Sequence, residues 1–429
     1  MRVLALCVLA CSMCDTHVSC APTLTCTLND ARFKPPPVVD AGPTPCDASQ
    51  RRCRAIAVAA GGAHTCAIAR AGELFCWGSD SDGQLGRMPA AAAASDEDAG
   101  SEIDFTPVLQ MAKRVAAGGA HTCVLVEDGS LFCFGRDDHG QVSGSANKKP
   151  VLRPRRVALD GVTQIATGDA HSCAVVRDGV ACWGSAAYGQ VGREVMDGAL
   201  APELVPGTES AVEVATGTRH SCARTKNGHV LCWGELIDPD TGTALPVAEP
   251  TEVPGLTDAT AIAAGAGHSC AIRQSGEVVC WGNNESGQLG DGTTHESTTP
   301  VSVASLPPAV HIAAGGAESD GKLVGFTCAV DRGFYAQCWG RNVEGELGIG
   351  HADDSSRPSG VLGLEGESDE PYLGDIIALA AGAFHMCVLD NNDRVLCWGD
   401  DRSGQLGATG NRKASFGRVS RAVRFSRFD

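Results

Sequence analysis

Seven times along this chain a His-Ser/Thr-Cys step, or a variant of it with one residue changed, is followed by Cys-Trp-Gly or Cys-Phe-Gly, and no other feature limits the fold as strongly. The copies run His64-Thr65-Cys66 to Cys76-Trp77-Gly78, His121-Thr122-Cys123 to Cys133-Phe134-Gly135, and His171-Ser172-Cys173 to Cys182-Trp183-Gly184. They continue with His220-Ser221-Cys222 to Cys232-Trp233-Gly234 and His268-Ser269-Cys270 to Cys280-Trp281-Gly282. The last two are Phe326-Thr327-Cys328 to Cys338-Trp339-Gly340 and His385-Met386-Cys387 to Cys397-Trp398-Gly399. The aromatic positions lie 57, 49, 50, 48, 58 and 59 residues apart.

Each unit reads as four short strands with Gly-rich turns, as in Ala261-Ile262-Ala263-Ala264, Cys270-Ala271-Ile272, Val278-Val279-Cys280 and Pro300-Val301-Ser302-Val303. A sheet this small, apolar on both faces, buries them only by stacking on its neighbours around an axis. The expected fold is therefore all-β: a seven-bladed β-propeller over residues 55–429, each blade a four-stranded antiparallel sheet. Closure should come from strands at both chain ends. The first hairpin is preceded only by residues 55–61, while Phe416, Arg418, Val419, Val423 and Phe425 alternate like an outer strand. Arg418, Arg421, Arg424 and Arg427 then become its solvent side.

Six cysteine pairs are ten residues apart, and Cys173 and Cys182 are nine apart. In a hairpin centred on Ala71-Gly72 the two cysteines stand opposite each other, within bonding reach. A zinc set of His64, Cys66 and Cys76 lacks a recurring fourth ligand. Phe326 also replaces the histidine while Cys328 and Cys338 persist, which favours disulfides in all seven hairpins. His64 shares a strand face with Cys66 and Ile68, so a core histidine bonded to backbone at a blade junction is expected. The tryptophans fall on the opposite face and should fill the space between blades. Turns such as Asp80-Ser81-Asp82-Gly83 lack the calcium-loop pattern and read as side-chain-capped turns.

Twenty-one cysteines fit an oxidising compartment. Residues 1–14 read as a signal segment, with Val8-Leu9-Ala10-Cys11 resembling a lipoprotein signal and Cys11 the candidate lipidated residue. Residues 15–54 read as a Cys/Pro-rich linker or small cap. The pairing of Cys14, Cys20, Cys26, Cys46 and Cys53 stays open. A formal net charge of -17 argues against nucleic-acid binding. Two long variable stretches are acidic: residues 87–105, with Asp96, Glu97, Asp98, Glu102 and Asp104, and residues 351–375, with Glu365, Glu367, Asp369 and Glu370. As partner-binding loops they would select a basic protein; as solvated insertions they would select nothing.

The run Ala59-Ala60-Gly61-Gly62-Ala63-His64-Thr65-Cys66-Ala67-Ile68, followed by Cys76-Trp77-Gly78 and Gly83-Gln84-Leu85-Gly86, resembles the repeat of the regulator of chromosome condensation family. The resemblance covers residues 55–429 and implies a seven-bladed propeller closed by strands from both ends. The cysteine-rich version is similar to secreted or surface proteins of bacteria. Family functions range over nucleotide exchange on a small GTPase, chromatin contact, light sensing and β-lactamase inhibition. No inserted wedge of the exchange-factor kind is matched. The six tryptophans all occupy intra-blade positions, leaving none for a photoreceptive cluster. No cofactor, metal or catalytic residue is assigned. The expected function is a non-catalytic protein-interaction or scaffold module, secreted or on the cell surface. The alternatives are a hydrolase or lyase acting at the central mouth, and a structural envelope lipoprotein held by Cys11.

Overall fold

Blade five shows how the repeat folds. Its inner strand Ala259–Ala264 pairs antiparallel with His268–Arg273, which turns into Val278–Gly282 and then the outer strand Ser297–Ser302. Small residues on the inner strand let seven copies crowd near the axis, whereas Pro300 sits on the outer edge, where a missing N–H costs no ladder bond. The computed structural model describes residues 54–87, 108–145, 149–193, 196–238, 241–363 and 371–407. Residues 1–35 and 36–429 group as two separate units, and all described residues belong to the second.

The same order recurs in seven sheets, over residues 55–78, 112–157, 164–204, 211–252, 259–302, 309–360 and 376–399. The protein is an all-β seven-bladed propeller. Five blades show four strands; blades one and seven show three among the described residues. In blade one Leu109 pairs with Leu74 at the outer edge, as Val157 does with Leu131 in blade two. Blade one thus takes its outer edge from the chain that follows its own hairpin, and needs no leading outer strand. Residues 416–428, expected to supply one, lie outside the described residues.

Strands from the two ends of the chain meet to close the ring. Ala383 N–H donates to Gly61 O at 3.0 Å, and Ala55 N–H donates to Asp393 O at 3.2 Å. Near the axis each inner strand ends in a glycine pressed against the next blade. A Cβ at Gly217 would stand 2.3 Å from Gly265 O, and one at Gly382 would stand 2.4 Å from Gly61 O. No side chain fits there.

The core is not one mass but seven clusters, one per blade junction. Thr65 lies opposite Trp77 and Cys66 opposite Cys76, so the period of two sends aromatics to one face and cysteines to the other. The aromatic of each blade shares a cluster with the cysteine pair of the preceding one: Trp183 with Cys123 and Cys133, Phe134 with Cys66 and Cys76, Trp77 with Cys387 and Cys397. Phe134 does the work of a tryptophan.

Candidate protein-binding surface

The repeated residues form latches between blades. His64 Nε2 meets Thr122 Oγ1 of blade two at 2.9 Å, and Thr122 Oγ1 donates to Gln84 O, also 2.9 Å away. Thr122 is thus inserted between two groups of blade one. Ser172, Ser221 and Thr327 repeat the arrangement, and Thr65 repeats it across the closing junction with His385 and Gln405. A hydroxyl has one proton, spent here on the carbonyl, so the histidine must donate through Nε2–H. The Nδ1 atoms of His64, His121, His171, His268 and His385 are buried without a partner. Burial pushes His64, His121, His171 and His268 down to about 3, and His220 and His385 to about 4, so all are neutral. The histidines bond through Nε2 to a side-chain hydroxyl of the next blade where the sequence suggested backbone, and His220 adds a backbone bond to His268.

The Gly-Gln-Leu-Gly carbonyl is shared further. Trp183 Nε1–H donates to Gln141 O at 2.9 Å, and Trp339 Nε1–H to Gln288 O at 2.9 Å. The preceding acid or amide caps the turn: Asp80 Oδ1 accepts from Leu85 N–H, and Asn284 Oδ1 from Leu289 N–H. These residues are committed to structure. The fourteen cysteines, Cys66–Cys76 through Cys387–Cys397, form seven intra-hairpin disulfides with Cα–Cα distances of 4.0–4.1 Å. Cys11 and all nine acids of the two variable loops lie outside the described residues, as do Cys14, Cys20, Cys26, Cys46 and Cys53.

One feature of the axis breaks the sevenfold regularity. Blade five turns from its inner strand through Gly265-Ala266-Gly267, whereas in blade six the ladder continues past Gly315 into a projecting hairpin. Ala317 pairs with Val324, Glu318 with Leu323 and Ser319 with Lys322. Asp320 and Gly321, at φ 51° and 76°, make the two-residue tip. The repeat pattern does not single out this hairpin, because the adjacent histidine anchor is replaced by Phe326. The 58-residue step from Trp281 to Trp339 was its signal.

The hairpin rises beside the mouth of the central channel, a cavity of about 170 Å³ lined by the glycine ring and by alanines and threonines. Glu318 pairs with Arg219 of blade four, which also reaches Glu235 at 3.3 Å and stacks over Tyr188 of blade three. Lys322 holds Glu285 of blade five at 3.1 Å. Around the rim Arg136 is held by Asp82, Arg341 by Glu346 and Arg402 by Asp400. Among the described residues, Asp169 and Asp320 have no cation at ion-pair distance, so the uncompensated charge here is negative. Loss of hydration on burial raises the Asp169 carboxyl above its ordinary carboxylate value, with the nearby Arg136 charge opposing that effect.

The RCC1-like domain matches residues 25–319, and the regulator of chromosome condensation (RCC1) repeat matches residues 376–405. The chain is 29% identical over 379 residues to human E3 ubiquitin-protein ligase HERC2, covering 85% of this chain but 6% of HERC2. It is 25% identical over 359 residues to mouse regulator of chromosome condensation, covering 77% of this chain and 81% of that one. Among solved structures, Prp20p of Saccharomyces cerevisiae superposes with a TM-score of 0.63 at 22% identity, over 79% of this chain and 84% of its own. Human WBSCR16 gives 0.63 at 21% identity, over 80% and 93%. The Prp20p structure is described together with that protein's binding to Gsp1p and histones. With more than half its length matched, and with a repeated latch at its blade junctions, this chain belongs to the RCC1-like domain family.

Proposed function

We propose that this protein is a non-catalytic protein-binding propeller working outside the cytoplasm, with the blade-six hairpin and the adjoining mouth rim as its docking surface. The observation that carries the reading is the hairpin itself. The repeated residues join blades, cap turns or cross-link hairpins, whereas residues 316–325 depart from the repeat and expose Glu318, Asp320, Gly321 and Lys322 at the mouth. Ion pairs to blades four and five brace the hairpin, which lowers the entropy cost of docking. The spare negative charge of Asp169 and Asp320 suits a basic partner. Relatives described as binding proteins, such as Prp20p with Gsp1p and histones, fit the same class of function.

A hydrolase or lyase at the mouth is less well supported. Among the described lining residues Asp169 is the sole ionisable side chain, so the lining presents no pair of carboxylates for acid and base roles. Seven disulfides support an oxidising location. A lipid on Cys11 would make the protein a surface lipoprotein, and mass spectrometry of the mature N-terminus distinguishes that form from a freely secreted one.

The test is a binding titration. A partner captured by the mature protein is titrated against the full chain and against a variant whose residues 316–325 are replaced by Ala-Gly, as in blade five. The trimmed form should bind at least about tenfold more weakly with an unchanged melting temperature. Equal affinity would sink the assignment.

A further inference from the structure

At the end of the ring opposite the mouth, six hairpin turns are polar and one is aromatic. The αL position is Gly72, Gly129, Gly228 and Gly276 in blades one, two, four and five, with φ of 85–92°, and Asp393 in blade seven. In blade six it is Phe334, at φ 65°. A bulky residue there is strained, and such strain persists where the side chain is wanted. Phe334 is 47% exposed, Tyr335 beside it 38%, and Tyr372 50%. The position of Tyr335 holds Glu73, Ser130, His229, Glu277 and Arg394 in other blades.

The aromatic patch continues into a track. Each inner strand except that of blade three starts with a β-bulge whose extra residue points outward. That residue is Lys113 in blade two, Val212 in blade four and Thr260 in blade five, and it is apolar in three consecutive blades, as Val310, Ile377 and Ile56 in blades six, seven and one. The exposed apolar residues therefore run from Phe334 across blade seven to Ile56. Phe334 O accepts from Ile376 N–H of blade seven, and Asp393 O of blade seven accepts from Ala55 N–H of blade one, both at 3.2 Å. The track ends where the described chain begins, at Arg54.

The segment leading to that point contains Pro36-Pro37-Val38-Val39 and Pro43-Thr44-Pro45. Proline-rich sequence favours the extended polyproline conformation, which aromatic-lined surfaces bind at low entropy cost. From Val39 to Arg54 the chain can reach up to about 50 Å, ample to run back one blade from its entry point. We propose that residues 36–45 dock on the Phe334–Tyr335–Tyr372 patch of their own propeller, guided by Ile56 and Ile377. The docked segment covers the turn end of blades six and seven, leaving the mouth as the open face.

The test uses the full chain with Phe334 replaced by photoreactive benzoylphenylalanine, and a second form with the same replacement at Tyr372. Irradiation followed by peptide mapping should give within-chain links to residues 36–45. Combining Pro36→Ser, Pro37→Ser, Pro43→Ser and Pro45→Ser should cut the yield about tenfold, the factor for losing about 1.4 kcal/mol of docking free energy. Links only to a second copy, only to another protein, or to nothing at all would overturn the proposal, as would a yield insensitive to the proline changes.

Discussion

Phe326 and Met386 fill the two places that in six other junctions hold a histidine and its hydroxyl partner. Both are fully buried in one cluster between blades six and seven. A buried hydrogen bond whose partners are both replaced by apolar groups costs little, whereas losing one partner strands the other. The two departures from the repeat are a single exchange.

A double-mutant cycle follows from that pairing. Phe326→His or Met386→Thr alone should destabilise the protein by about 1–3 kcal/mol. The double variant restores the latch, with Glu346 O, which already accepts from Trp398 Nε1–H, in the place of the glutamine carbonyl. Urea unfolding should give a favourable coupling of about 1 kcal/mol or more. Strict additivity would show that the two positions do not communicate.

The latches make stability sensitive to acid. The six junction histidines have folded pKa values of about 3 to 4, below the unfolded value near 6.5. The unfolded chain therefore binds more protons, and the stability present above pH 6.5 drains away as pH falls towards 3–4. Each histidine contributes a slope of about 1.4 kcal/mol per pH unit inside that window. The urea midpoint should drop between pH 7 and pH 4.5, and less steeply in a His171→Phe/Ser221→Met variant, which removes one latch in the manner of blade six. Equal midpoints at the two pH values would contradict the neutral assignment.

Gly217→Ala tests the crowding at the axis. Its Cβ would lie 2.3 Å from Gly265 O and 2.4 Å from His220 Cε1, neither of which has room to retreat. A loss of at least about 2 kcal/mol is expected in urea unfolding. Gly207→Ala, where nothing lies within 4 Å, serves as the contrast, although its φ of 80° keeps some backbone strain.

Removing one disulfide should be costly but local. Cys270→Ser/Cys280→Ser opens a hairpin loop whose closure contributes about 2–3 kcal/mol in the chain-entropy account. Trp339 packs on that bond from the next blade, so its fluorescence should report the change. Unaltered stability and unaltered tryptophan emission would show that the bond holds nothing.

The faces of each blade were legible because a strand alternates strictly: Cys66 and Trp77 had to point opposite ways, and did. The partner of His64 was not, because Thr122 is 58 residues away and no local rule connects one repeat to the next. Its trace was present all the same, since the missing histidine of one copy is followed by the missing hydroxyl of the next. The insertion at residues 316–325 is hidden in the sequence for a related reason. The histidine that marks each repeat is missing where Phe326 stands, and the 58-residue step is matched by steps of 57 and 59 elsewhere. What repeats could be read from the chain; what distinguishes blade six required the structure.

Hydrogen exchange on the full chain, with and without its bound protein partner, tests whether the blade-six hairpin is the docking surface. Binding should slow exchange in residues 316–325 and in the rim around Arg219 and leave the outer strands unchanged. Protection confined to the outer strands, with the hairpin exchanging as fast as before, would contradict that assignment.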